Sequence, residues 1–113
     1  MEHKTRPPVI QVVTTVERRE DAERIARRLI EERQAACVQI VGPIQSIYRW
    51  KQNIEQAEEW QCHIKTRATL YGAVEKLIKA NHPYETPEIL ALPVLQGSPE
   101  YLAWLHEETQ DES

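Results

Sequence analysis

The sequence predicts an α+β fold: a ferredoxin-like βαββαβ sandwich with an antiparallel sheet and an extra C-terminal helix. Three observations predict it. Two apolar stripes at helical spacing, Ala22, Ile25, Ala26, Leu29, Ile30 and Leu70, Ala73, Val74, Leu77, Ile78, mark the two main helices. Strand-like runs flank them in the order strand, helix, strand, strand, helix, strand. With 113 residues the chain is the size of one domain, and a domain of that size buries about 60–70% of its unfolded surface.

The elements follow in order. Val9 to Thr15 is rich in β-branched residues and reads as the first strand. The first helix carries Glu20–Arg24, Glu23–Arg27 and Arg28–Glu32 as i,i+4 pairs on its outer face, and Thr14 with Glu17 is a weak capping-box match at its start. Ala36 to Val41 reads as the second strand, bent by Gly42-Pro43 and resumed from Ile44 to Trp50. Lys51-Gln52-Asn53 is the expected hairpin turn. Glu59 to Thr66 alternates Trp60, Cys62, Ile64 against Gln61, His63, Lys65, a third strand with one apolar face. Thr69 is the expected cap of the second helix, and Asn81 its left-handed end. Ile89 to Leu95 gives the fourth strand, and Ser98-Pro99 opens a short helix to about His106. The expected division is a flexible 1–8, a domain over 9–106 and a polar, fraying tail over 107–113.

Composition excludes several classes. The net charge is -4 with both signs interleaved, so the basic footprint of a nucleic-acid binder is missing. No segment approaches the roughly 18 apolar residues of a membrane span, and Met1 to Pro8 has no apolar core of a signal peptide. Cys37 and Cys62 suit a reducing cytosol, so the expected location is cytoplasmic and both thiols are expected free. No nucleophile elbow, HExxH or Gly-rich phosphate loop is present, and glycine occurs three times in all. The expectation is a binding protein, not an enzyme.

Two features point to assembly and to a site. The run from 44 to 66 makes a hairpin too long for so small a sheet, and it carries Tyr48, Trp50 and Trp60. Exposed edges and aromatic patches of that kind find a partner, so self-association is expected. The segment Asn81-His82-Pro83-Tyr84-Glu85-Thr86-Pro87-Glu88 fixes a histidine, an aromatic and carboxylates between two prolines.

Together with its neighbours this segment resembles the CutA family of divalent-cation tolerance proteins. The matching pieces are Ala35-Ala36-Cys37-Val38, Ser46-Ile47-Tyr48-Arg49-Trp50, Ile64-Lys65-Thr66, the His82-to-Ile89 loop, Leu92-Pro93-Val94, Gly97 and Tyr101-Leu102-Ala103-Trp104-Leu105. They run in the family's order over residues 9–105. The resemblance implies a tight homotrimer in which strands complete sheets between subunits, no established catalytic activity, and a link to copper and other divalent metals. It implies ligands near the end of the first strand and in the His-Pro-Tyr loop. Thr14 stands where some members carry cysteine, Asn81 where some carry a second histidine, and Gln52 where a hairpin glycine is usual, with Asn53 beside it available for the tight turn.

The candidate metal ligands are therefore His82 and Cys37, for a weakly held divalent ion, copper by preference. Against this, His82 also suits a helix-end cap, and Cys37 a small buried residue. Lys65, Glu59, Tyr84 and Glu85 are the candidate binding residues, forming with His82 a pocket for a small molecule or metal at a subunit interface. The alternatives are a trimeric signalling protein, like the nitrogen-regulatory PII proteins, that binds a metabolite or nucleotide between subunits, and a structural trimer that anchors another protein.

Overall fold

Seven of the eight residues of strand β1 (Val9–Val16) are Val, Ile or Thr, side chains that fit a pleated surface packed on both faces. In the computed structural model, which describes residues 8–110, β1 is followed by α1 (Arg19–Glu31), β2 (Cys37–Trp50), β3 (Asn53–Arg67), α2 (Tyr71–Asn81), β4 (Ile89–Val94) and α3 (Pro99–Glu108). Residues 1–7 of the expected flexible N-terminus, and 111–113 of the tail, lie outside the described residues. The strand order is β2-β3-β1-β4 with every neighbour antiparallel. This is the α+β, ferredoxin-like plan that the sequence predicts.

The core lies between α1, α2 and one face of the sheet. Val12 and Val16 of β1, Cys62 and Ile64 of β3, Ile25 and Leu29 of α1, and Val74 and Ile78 of α2 are fully buried there. Each such aliphatic side chain stabilises the fold by about 1.5–3 kcal/mol relative to exposure. The helix ends differ from expectation. Arg18, not Thr14, precedes α1, and no side chain caps it; Thr14 is buried in β1. A 3-10 turn, Ala68–Leu70, intervenes before α2, so Thr69 lies inside that turn and caps nothing. Asn81 is not left-handed; its side-chain amide donates to the Leu77 carbonyl at 2.9 Å. On the outer face of α1, Arg24 pairs with Asp21 at 2.9 Å and not with Glu20.

The hairpin is longer than the sequence suggests, because β3 begins at Asn53 and not at Glu59. Trp50 pairs with Asn53 across a two-residue turn whose central residues, Lys51 and Gln52, both have positive φ (47° and 72°). This is the primed turn that matches strand twist; Asn53, the residue expected to take the left-handed conformation, is in the strand. β1 pairs with β3 only over Trp60–Arg67, so the outer hairpin projects beyond the sheet, and the molecule measures 58 × 25 × 22 Å.

At Gly42-Pro43 the β2/β3 register slips: Val41 faces Gln61, and Ile44 faces Glu59. Two steps on β3 are matched by three on β2, and one extra residue reverses the side-chain alternation of β2. The Gly42-Pro43 peptide is cis. The Trp60 ring covers Gly42 so closely that a Cβ there would lie 2.6 Å from it. Before the bulge the odd residues of β2 face away from α1 and α2; after it the even ones do. Tyr48 and Trp50 therefore lie on the open face of the sheet, while Trp60 faces the helices, with the Arg19 guanidinium 5.3 Å over its ring. The three aromatics do not form the single cluster that their shared hairpin suggests.

The third helix and the tail close the opposite end. Leu105 is buried, and Arg67 donates from Nε to the Thr109 hydroxyl at 2.8 Å. Gln110 donates its amide to the Arg33 carbonyl at 2.8 Å. The tail expected to fray from residue 107 is thus anchored through Gln110.

Candidate functional site

The loop 82–88 leaves α2 and is held against the end of β1 by one histidine. His82 Nε2 lies 2.8 Å from the Thr15 carbonyl, and Nδ1 lies 3.1 Å from the Tyr84 amide. A carbonyl only accepts and an amide only donates, so the ring is the neutral Nε2–H tautomer with both nitrogens engaged. Burial lowers its pKa below the ordinary value, and the Thr15 bond, Asp21 and Glu59 oppose that in part. The Tyr84 ring packs on His82 with centroids 4.7 Å apart.

Tyr84 then reaches across to β3. Its hydroxyl donates to Glu59 Oε2 at 2.7 Å. Burial, that bond and the charges of Glu59 and Glu17 all push the phenol well above its usual range. Glu59 itself is 6% exposed. Glu59 is on the open face, where the bulge has also placed Ser46, Tyr48 and Trp50. Loop and hairpin together enclose a cavity of about 560 Å³, lined by those residues and by Thr15, Glu17, Tyr84, Glu85 and Glu88 among others. That volume suits a small ligand.

The structure divides the candidate residues into two groups. Glu59, Tyr84 and Glu85 line the cavity, and His82 braces it from behind. Lys65 is six residues along β3 from Glu59, about 20 Å at strand rise, and its ammonium donates to Gln39 Oε1 at 2.8 Å. Cys37 pairs with Lys65 at that distant end, beside Tyr101, whose pKa is raised by burial and then by Cys37. His82 and Cys37 thus stand at opposite ends of the sheet within one chain. Among the described residues no three His, Cys, Asp or Glu side chains are grouped to hold a metal ion. With both nitrogens of His82 already bonded, the donor set of a single chain does not fit a resident metal.

Sequence reasoning missed Glu17 and Ser46 as cavity residues. Glu17 lies in the bend just after β1, two positions beyond Thr15. Ser46 carried no signal, because its face depends on the bulge. Cys62 is fully buried, with its thiol 3.7 Å from the Ala22 carbonyl and its pKa pushed up to about 12 by burial. Both cysteines are free. No described helix is long and apolar enough to cross a membrane.

With this geometry in view, three comparisons bear on the chain's kinship. It is 46% identical over 92 residues to Protein CutA of Mus musculus, covering 81% of this chain and 52% of the mouse protein, so it spans about half of that relative's length. It is 45% identical over 98 residues to the divalent-cation tolerance protein CutA of Thermus thermophilus, covering 87% of this chain and 95% of that protein. The crystal structure of CutA1 from Oryza sativa superposes with a TM-score of 0.91 at 40% identity, covering 94% of this chain and 97% of that one. The sequence model of the CutA1 divalent ion tolerance protein family matches residues 10–108, a span that contains all three helices and all of the sheet but its first residue, Val9, and the chain belongs to that family.

Proposed function

We propose that the chain works as a homotrimeric binding protein in the response to divalent metal ions, and not as an enzyme. The observation that carries the assembly is the projecting hairpin. Ile47, Tyr48, Trp50 and Ile54 are 62%, 44%, 47% and 69% exposed on strands that have left their own sheet. Leu90 and Leu92 are also exposed on β4, whose outer edge no described strand covers. Burying such surfaces against further copies removes both the apolar patch and the unpaired edge. The threefold count follows the family resemblance. Against catalysis stand the inert thiol of Cys62 and the separation of Cys37 from His82.

The role in divalent-cation tolerance is carried over from the names of the relatives. A weak Cu²⁺ site at His82 is part of the proposal, and coordination there must displace a backbone hydrogen bond. Cys37 joins it only from another subunit. The cavity favours a second reading, a small-molecule ligand bound where the subunits meet. Its carboxylates repel phosphates, which disfavours a nucleotide. The two free cysteines favour a cytoplasmic setting.

Light scattering of the purified chain tests the assembly: three times the monomer mass is expected, weakened by Trp50→Ala, and a stable monomer overturns it. Calorimetric titration of Cu²⁺ into wild type and His82→Ala tests the metal. Binding lost in the variant supports the site, equal binding places it elsewhere, and no binding to either removes a direct metal role.

A further inference from the structure

We propose that His63 makes the self-association of this chain acid-sensitive: its imidazole stands on the open sheet face that further copies cover, beside a cation and with no carboxylate next to it. This deepens the assembly proposed above and rests on it, but not on the metal or on any small ligand.

The register sets His63 in the middle of that face. Val13 of β1 is opposite Leu90 of β4 on one side and His63 of β3 on the other, and Gln39 of β2 is opposite His63. The row Leu90, Val13, His63, Gln39 therefore crosses the whole sheet on the side away from α1 and α2. Leu92, Gln11, Lys65 and Cys37 form the next row. Leu90 and Leu92 are each more than half exposed, and the outer edge of β4 is uncovered. A second copy is the occupant that suits this face, because the face is continuous with that edge and with the hairpin, the surfaces already assigned to further copies.

The surroundings of His63 offer nothing to balance a positive charge. His63 Nε2 lies 2.9 Å from Gln61 Oε1; an amide oxygen only accepts, so Nε2 carries the hydrogen and Nδ1 is the site of a second proton. Lys65 is two residues on, about 7 Å along the same face. Its ammonium is held at 2.8 Å by Oε1 of Gln39, the residue directly across from His63. Arg67 follows on that side of β3, and Cys37 lies diagonally across, with Tyr101 of α3 beside it. From β1 and β4 the neighbours are Gln11, Val13, Thr15, Leu90 and Leu92, which carry no charge. The carboxylates lie toward the hairpin. Glu59 is four residues back along β3, about 13 Å, and already accepts from Tyr84; Glu88 stands beyond the end of β4. In a free subunit water solvates an imidazolium. Once the face is covered, the charge loses that water without gaining a partner, which is costly. The free subunits therefore bind protons that the assembly excludes. Association weakens as pH falls through the range in which histidine ordinarily changes charge, about 5 to 8.

The test is subunit exchange in the full chain. Unlabelled and nitrogen-15-labelled assemblies are mixed at pH 7.5 and at pH 5.5, at fixed ionic strength. The rate at which mixed oligomers appear is read by native mass spectrometry, with far-UV circular dichroism to show that the subunits stay folded. The wild-type rate is expected to rise tenfold or more at the lower pH. His63→Gln, which keeps a polar side chain that takes no proton, should hold the rise below threefold. Gln39→Glu leaves the imidazole in place and puts a carboxylate opposite it, and should likewise hold the rise below threefold. A wild-type rate equal at the two pH values overturns the proposal. So does a tenfold rise that persists in His63→Gln or in Gln39→Glu. A trimer whose exchange ignores pH sinks this inference and leaves the proposed assembly standing, whereas a monomer at pH 7.5 sinks both.

Discussion

The hydroxyl of Tyr84 and the carboxylate of Glu59, 25 residues apart in sequence, are joined by a 2.7 Å hydrogen bond that ties the loop after α2 to the root of the hairpin. A bond to a charged acceptor contributes about 1.5–3 kcal/mol, and its loss leaves a buried carboxylate short of a donor. Tyr84→Phe is therefore expected to lower stability by about 2 kcal/mol. Glu59→Gln, which keeps an acceptor for the phenol, should cost less. Denaturant unfolding of the two variants beside wild type measures the difference.

His82 makes stability depend on pH. Its folded pKa lies below the ordinary value near 6.5, so between the two values the unfolded chain holds a proton that the folded chain does not. Stability is full above the unfolded pKa, falls as pH drops from there through the folded pKa, and is level below it. A proton on Nδ1 also meets the Tyr84 amide donor head-on. The denaturation midpoint of wild type should fall on going from pH 7.5 to pH 5.5 by more than that of His82→Gln. An equal fall in both proteins would assign the dependence to other groups.

Lys51 and Gln52 hold left-handed conformations that cost an ordinary residue about 1–2 kcal/mol. Replacing the pair by Asn-Gly, the sequence that a primed turn prefers, should stabilise the hairpin by about 1 kcal/mol. Thermal unfolding should show a raised midpoint with the assembly mass unchanged.

Of the three glycines, Gly42 is the least tolerant of a methyl group. Its added Cβ would lie 2.6 Å and 2.9 Å from two carbons of the Trp60 ring and 3.2 Å from the Glu59 carbonyl. Gly42→Ala should cost about 1–3 kcal/mol through displacement of the indole, read by denaturant unfolding and by a change in tryptophan emission.

How much of this was legible in the sequence depends on what burial imposes. The α1 stripe of Ala22, Ile25 and Leu29 and the alternation of Trp60, Cys62 and Ile64 are visible because one side of each element meets the core. Residues 53–58 have exposed or half-exposed side chains; with no core to face, they show no alternation, and the strand's true start was missed. Thr69 looks like a cap because local rules do not see a 3-10 turn interposed. The loop around His82 was visible as a site, but its bond to Thr15 spans 67 residues. Likewise the tie of Arg67 to Thr109 joins residues 42 apart and leaves no local pattern. Placing Lys65 with Glu59 followed from their charges, yet two residues six positions apart on one strand cannot share a small pocket within one chain.

The slip at Gly42-Pro43 works as a change of phase in the strand. Inboard of it, odd positions of β2 share a face with Lys65 and Gln61; outboard of it, even positions do. The core and the cleft are thereby written in different reading frames of one strand. A deletion of one residue at the slip would leave Val38 and Ile40 packed under the helices and would allow the outer ladder to re-form in full. Because Ile44 would still face Glu59, Tyr48 and Trp50 would keep the open face; the same deletion made outboard of the slip, at Gln45, would instead bring Ile47 and Arg49 to that face, so a fold intact by every measure of its core would have lost its aromatic wall.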